Sequence, residues 1–308
     1  MPRQIVECVP NFSEGRRPEV IEQIVDVVRQ AKEEGLAVSL LDHSADRDHN
    51  RMVVTYVGEA QAVAEVAFRL ARQAQALINM EEHRGAHPRI GATDVIPFIP
   101  ISGITMPECV ALSKQLGARL ADELAIPVYL YAESATTAAR RRLPDVRVGQ
   151  YEGLKEAVGL PERRPDFAPA GEPRLHPTAG ATAVGARNYL IAYNINLNTP
   201  NVEIAKRISK NIRESSGGLV NVQAMGVDLA AQGLAQVSMN LLNHKATPLY
   251  RAFELVRAEA ARYGVTIGHS ELVGLLPLDA MIDAAAYYLQ LEGFSREQLL
   301  EVRMISVE

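Results

Sequence analysis

Two histidines four residues apart, His83 and His87, stand in the stretch EEHRGAHPRIGATDV (residues 81–95), with Arg84, Arg89 and Asp94 beside them. An imidazole that titrates near neutrality, set among guanidinium forks, is equipped to move a proton next to an anionic substrate. On a helix the spacing would put both rings on one face, where they could share a metal ion or act as a base and its helper. Gly85 weakens a helix and Pro88 disfavours helical geometry at His87, so the stretch reads as a loop leaving a helix. A metal reading needs further ligands, which LDHSADRDHN (41–50) offers in Asp42, His43, Asp46, Asp48 and His49. Neither stretch carries a recognised ligand signature. The expectation is therefore metal-independent chemistry.

Other polar residues suggest recognition. Asn194, Asn196 and Asn198 in AYNINLNTPN share one face of a strand and its extension, and Gln236, Ser238 and Asn240 in AQVSMN repeat the pattern. Together they predict an amide-lined wall for a polar, planar ligand. The glycines of TAGATAVGAR (178–187) lack the GK[ST] of a phosphate loop and read as backbone that approaches a neighbour closely. Arg140, Arg141, Arg142, Arg147, Arg163 and Arg164 form a basic run, either a solvated face or a surface for a polyanionic tail.

The elements that must position these residues occur in a repeated order. QIVECV reads as a strand, Val20 to Val28 as an amphipathic helix, LAVSLLDHS and RMVVTYVG as strands, and residues 60–80 as a second helix. TDVIPFIPIS follows as an extended segment whose two prolines predict an edge or a short strand. Thr105 and Glu108 form a capping box for a further helix, and IPVYLYAES is strand-like. The Pro- and Gly-rich residues 144–180 read as a linker or long functional loop. Beyond it NYLIAYNINL, a helix capped by Thr199 and Pro200, GLVNVQAMGV, LAQVSMNLLN, a helix from Thr247 and Pro248, and VTIGHSELVG restore the first order. The fold class is α+β: two similar ferredoxin-like (βαββαβ) subdomains joined by the Pro/Gly-rich linker, with the ligand cleft between them. The predicted division is 1–180, including the linker, and 181–308.

A chain of 308 residues that is 47% apolar fills a substantial core, and its net charge of −5 with no tryptophan argues against nucleic acid as a partner. Two cysteines, Cys8 and Cys109, far apart in apolar surroundings, suit a reducing compartment. No signal peptide and no membrane-length apolar run is evident, so a cytoplasmic protein acting on small molecules, without membrane contact, is expected.

Long ordered motifs then give a resemblance over nearly the whole chain: VECVPNFSEG, DHNRMVVTYVG, HRGAHPRIGATDVIPFIPI, LAIPVYLYAES, PDFAP, GATAVGARNYLIAYNINL, LAQVSMNLLN and LVGLLPLDAMIDAAAYY. In these the chain resembles the formiminotransferases. The resemblance implies transfer of a formimino group between the N5 of tetrahydrofolate, a co-substrate, and the amine of L-glutamate, in histidine breakdown. It also implies a homodimer, His87 of the HP step as the catalytic residue, and a folate-binding segment on residues 168–180. Carried over from that segment are Ala168, Pro169, Ala170, Gly171, Pro177, Thr178, Ala179 and Gly180. For the two glutamate carboxylates Arg51 and Arg89 are the candidate forks, and the amides of Asn11, Asn194 and Asn196 are candidates to hold the pterin or the amidine. One histidine titrating near neutrality would take the proton from the attacking nitrogen and return it to the departing one. The animal enzymes continue into a cyclodeaminase domain, so a chain stopping at Glu308 is expected to be a stand-alone transferase. Rival readings are a formyl transferase working from N-formyl-L-glutamate, a metal-dependent amidohydrolase built on His83, His87 and the Asp42 to His49 cluster, and a non-catalytic folate carrier.

Overall fold

Apolar residues at every second position, Val6 and Cys8, then Met52, Val54 and Tyr56, face one side of a sheet and bury completely, which the two-residue period of a strand requires. The structure, a computed structural model, describes residues 4–170, 173–229 and 232–305. It divides into two units, Met1–Arg187 and Asn188–Glu308.

The first unit opens with β1 (Ile5–Cys8) and β2 (Asn11–Phe12), α1 (Pro18–Glu33), the hairpin β3 (Val38–Asp46) and β4 (Arg51–Gly58), α2 (Ala60–Leu77) and β5 (Thr93–Ser102). β1 and β2 act as one interrupted strand between β4 and β5, antiparallel to both, and β3 lies outside β4. That is the βαββαβ pattern expected from the sequence. α3 (Met106–Leu124), β6 (Val128–Ala132), α4 (Leu143–Val146), α5 (Gln150–Ala157) and β7 (Thr182–Ala186) follow, and β7 joins the sheet parallel to both β5 and β6. Ile24 and Val28 of α1, Val63 and Val66 of α2, and Leu116 and Leu120 of α3 bury in the core that also holds the strand residues named above. The predicted capping box is present: the Thr105 N–H donates to Glu108 Oε2 at 2.7 Å.

Two expectations need correction. β5 is an interior strand of ten residues, not an edge or short strand. Its Pro97 is tolerated because the residues paired with β2 end at Val95 and those paired with β1 begin at Phe98, so the proline faces the break between them. Residues 144–180 are not a linker between units. They contain α4 and α5, and Phe167 and Gly180 bridge to Val128 and Gly91 of the first unit. Because β7 pairs within the first sheet, the division falls after Arg187 rather than after Gly180.

The second unit comprises β8 (Ile191–Leu197), α6 (Val202–Ile212), β9 (Val222–Leu229), β10 (Leu234–Leu241), α7 (Leu249–Ala261) and β11 (Ile267–Val273), then α8 (Leu278–Leu289) and α9 (Leu300–Ile305). Its four strands run β11-β8-β10-β9, antiparallel throughout, again βαββαβ. Ile191, Tyr193, Ile195 and Leu197 pack with Ile208 and Ile212 of α6 and Val256 of α7 in a separate core. α6 starts later than expected, with Asn201 as its cap, the side chain accepting from the Glu203 N–H at 3.1 Å. Among the described residues no helix is long and apolar enough to cross a membrane.

Candidate active site

The loop after α2 is tied down at both ends. Asn79 turns the chain, its side-chain oxygen accepting from the Glu81 N–H and its carbonyl from the N–H groups of Glu82 and His83. The loop then runs against the β3–β4 turn. The Asn50 side chain donates to the Arg84 carbonyl at 3.0 Å and accepts from the Gly15 N–H at 2.9 Å, and the Ala86 N–H donates to the Asp48 carbonyl at 3.3 Å. A Cβ at position 85 would run into the His49 carbonyl, so glycine is required for this approach.

His83 is buried and both ring nitrogens are engaged. Nε2 meets the Asn50 carbonyl at 2.9 Å and Nδ1 accepts from Arg89 Nε at 3.1 Å, which places the ring proton on Nε2. Burial holds its pKa below the usual histidine value, helped by Arg89. His83 is a strut, with no lone pair left for a metal. Arg89, expected as a fork for substrate carboxylate, is 5% exposed and already holds the Glu152 carboxylate through two bonds of 2.8 and 2.6 Å, with Gln150 Oε1 at 3.1 Å. Its fork is filled from inside the fold.

At the centre is Asp94, fully buried. One carboxylate oxygen accepts from Arg51 at 2.8 Å and Arg147 at 2.5 Å, and the other from the Ile90 N–H at 2.9 Å. Burial alone would raise the Asp94 pKa, but the guanidiniums of Arg147 and Arg51 hold it down at about 2. Arg51 also grips the Asn11 side-chain oxygen with Nε and Nη2, at 3.1 and 2.8 Å. Burial lowers its pKa to about 10, so it stays cationic at neutrality. Thus Asn11, Arg51 and Asp94, from three segments, are one hydrogen-bonded unit.

His87 sits on this unit, partly exposed. Nδ1 lies 3.1 Å from Arg51 Nη1 and 2.7 Å from the Pro88 carbonyl. A guanidinium only donates and a carbonyl only accepts, so the two contacts belong to different tautomers. With the proton on Nδ1 the Pro88 carbonyl takes it, and Nε2 presents a lone pair that no described residue occupies. Burial pushes the His87 pKa down to about 3, assisted by Arg51 and Arg147 against the opposing pull of Asp94. The expectation of a histidine titrating near neutrality is corrected accordingly: His87 rests neutral.

Arg147 reached this site from the basic run, which the structure breaks up. Arg140 pairs with Asp166 at 2.6 Å and Arg163 donates to the carbonyls of Val146 and Val148, whereas Arg141, Arg142 and Arg164 are exposed. Of the expected folate segment, Ala168, Pro169 and Ala170 follow the Phe167 bridge, and Gly171 lies outside the described residues. Pro177, Thr178, Ala179 and Gly180 return alongside the histidine loop: the carbonyls of Thr178 and Ala179 accept from the N–H groups of Met80 and Ala92. In the second unit the alternating amides of β8 and β10 lie side by side, and that of Asn196 is engaged by neighbouring side chains. Asn196 pairs across the ladder with Gln236 and Asn194 with Ser238; the Gln236 amide donates to the Asn196 oxygen at 2.9 Å, and the Asn196 nitrogen lies 2.8 Å from His269 Nε2.

Sequence reasoning had no means to join Arg147 to Asp94, or Glu152 to Arg89, because each pair is remote in sequence and nothing local marks it. Among the described residues no group of three or more His, Cys, Asp or Glu is arranged to hold a metal ion.

Comparison with known proteins covers both units. Residues 5–187 match the family model for the formiminotransferase domain, N-terminal subdomain, and residues 192–307 that for the formiminotransferase domain. A glutamate formimidoyltransferase of Streptococcus pyogenes serotype M1 is 48% identical, over 98% of this chain and 99% of that protein. One from Thermoplasma acidophilum is 47% identical over 97% of each. The mouse formimidoyltransferase-cyclodeaminase is 46% identical over 98% of this chain and 56% of its own length.

Proposed function

The chain belongs to the formiminotransferase family, and we propose that His87 carries the proton transfers of its reaction. It is an enzyme that moves a formimino group between N-formimino-L-glutamate and tetrahydrofolate, giving 5-formiminotetrahydrofolate and L-glutamate, a step of histidine degradation. The observation that supports the role of His87 most directly is its Nε2, without a partner among the described residues, on a ring backed by the Asp94–Arg51–Arg147 cluster.

The attacking N5 loses a proton as it bonds to the amidine carbon, and the departing glutamate nitrogen gains one. A neutral imidazole is ready to accept in every molecule at neutral pH, and its suppressed basicity makes the resulting imidazolium a strong acid for the return. Burial is the main cause of that suppression; substrate carboxylates binding near Arg51 and Arg147 would offset the two positive charges that assist it, and so restore part of the basicity when substrate is present. Asn11, Asn194 and Asn196, with residues 168–180, are proposed to hold the folate and the amidine. The proposed chemistry needs no metal.

We also place the enzyme in the cytoplasm as a homodimer, a reading supported by two buried free cysteines and by the exposed Met281, Tyr287, Tyr288 and Leu289 of α8.

The decisive assay supplies N-formimino-L-glutamate and tetrahydrofolate, with N-formyl-L-glutamate in parallel. Formation of 5-formiminotetrahydrofolate at the higher rate is expected. Preferential use of the formyl donor would overturn the donor assignment, and a loss of activity on prolonged chelation that zinc restores would overturn the metal-free mechanism.

A further inference from the structure

The β3–β4 turn brings a second imidazole to the first. The ring centroids of His49 and His87 are 6.1 Å apart, with their planes inclined by 62°. This relation is built in, because the turn and the histidine loop are joined through Asn50 to Arg84, His83 to Asn50 and Ala86 to Asp48, and Gly85 packs on the His49 carbonyl. His49 is oriented in its own right. Its Nδ1 lies 3.0 Å from Asp46 Oδ1, which also accepts from the His49 N–H at 2.7 Å. A carboxylate on Nδ1–H fixes the tautomer and leaves Nε2 to handle a proton. The ring is half-exposed, so it can exchange that proton with water.

We propose that His49, positioned by Asp46, is a second acid/base that takes over from His87 the delivery of the proton to the departing nitrogen, so that each imidazole serves one of the two nitrogens on the reacting carbon. The proposal rests on the formimino-transfer reading above. In the direction of folate formimination, His87 takes the proton from N5 as the N5–carbon bond forms. His49, as imidazolium, gives a proton to the glutamate nitrogen as the carbon–nitrogen bond to glutamate breaks. One proton is taken and one is given, and the pair is reset by proton exchange through the exposed His49 ring. In the reverse direction the roles exchange.

The test uses the full chain with two donors, N-formimino-L-glutamate and its 3-fluoro derivative, whose less basic amine leaves with less help from an acid. His49→Ala should lower kcat with the ordinary donor on the order of a hundredfold, with KM for both substrates little changed, and the deficit should shrink with the fluorinated donor. Asp46→Asn should follow the same pattern at about tenfold. His87→Ala should show no such recovery. The inference is overturned if His49→Ala keeps near-normal kcat, or if it loses activity equally with both donors. His49→Gln, with circular dichroism and folate binding as controls, separates loss of the acid from loss of the fold. A wild-type protein that turns over neither donor would defeat the functional reading itself, a result distinct from either outcome for His49.

Discussion

The two units share one βαββαβ order and put opposite chemistry on it. In the first, the polar residues are charged and buried: Asp94 between Arg51 and Arg147, Arg89 on Glu152, and His87 held neutral beside them. In the second, the corresponding wall is neutral, made of Asn194, Asn196, Gln236 and Ser238. Buried charges are costly unless fully paired, so a fold retains them where a charge must be created or moved. Amides hydrogen-bond without charge and suit recognition of a planar heterocycle. The contrast supports the proposal that the first unit carries the proton chemistry and that the amides of the second contribute to holding the ligand.

The largest expected effect tests the first half of that statement. His87→Ala should lower kcat by on the order of a hundredfold to ten-thousandfold while the protein stays folded and binds folate, since a partly exposed loop side chain adds little to the core. Near-normal turnover would remove His87 from the mechanism. Asp94→Ala should come next, destabilising the first unit by about 3–5 kcal/mol, because Arg51 and Arg147 lose their shared counter-charge; urea unfolding followed by fluorescence would measure it. A loss below about 1 kcal/mol would mean that water compensates the guanidiniums and that the cluster is not a buried charge unit.

Asn196→Ala tests the second half. It should raise KM for tetrahydrofolate about tenfold, near 1.4 kcal/mol, and leave kcat with saturating folate unchanged. If it lowers kcat as His87→Ala does, the division of labour fails.

Acid provides a smaller, graded contrast. His87 is held neutral with a pKa near 3, against about 6.5 in an unfolded chain, so unfolding takes up a proton between those values and stability falls as pH drops below about 6.5. Asp94, held near 2, adds stability that is complete above its unfolded value of about 3.9 and is lost as pH falls toward 2. His87→Asn should therefore flatten the decline of stability between pH 6.5 and 4, measured by urea midpoints; an unchanged slope would show that His87 is not held neutral. Last, replacing exposed Arg141 and Arg142 with serine should change stability by no more than about 0.5 kcal/mol, in contrast to Arg147→Ser, which strips a partner from Asp94.

Most of the architecture was legible in the sequence. Strand and helix periods are local, so the order of elements, the Thr105 capping box and the alternating amides of β8 and β10 can be read from neighbours along the chain. The HRGAHPRIG stretch likewise marked His87 as the residue to examine. The departures have non-local causes. The two prolines of β5 predict an edge because sequence does not show the break between β1 and β2 that receives Pro97. Residues 144–180 read as a linker because their Pro and Gly content is visible and their attachment to β6 and the histidine loop is not.

The site divides in the same way. The sequence by itself supplied which residue types were available: His83, His87, Arg51, Arg89, Arg147, Asp94 and the aspartate–histidine run from Asp42 to His49. Only the tertiary structure decided what each one does. It filled the Arg89 fork with Glu152, turned His83 into a strut, drew Arg147 from a basic run onto Asp94, and set His49 opposite His87. The physical reason is that a side chain's chemistry depends on its charge partners and its loss of water. Both are fixed by contacts between residues far apart in the chain, and neither has a period that a sequence can display.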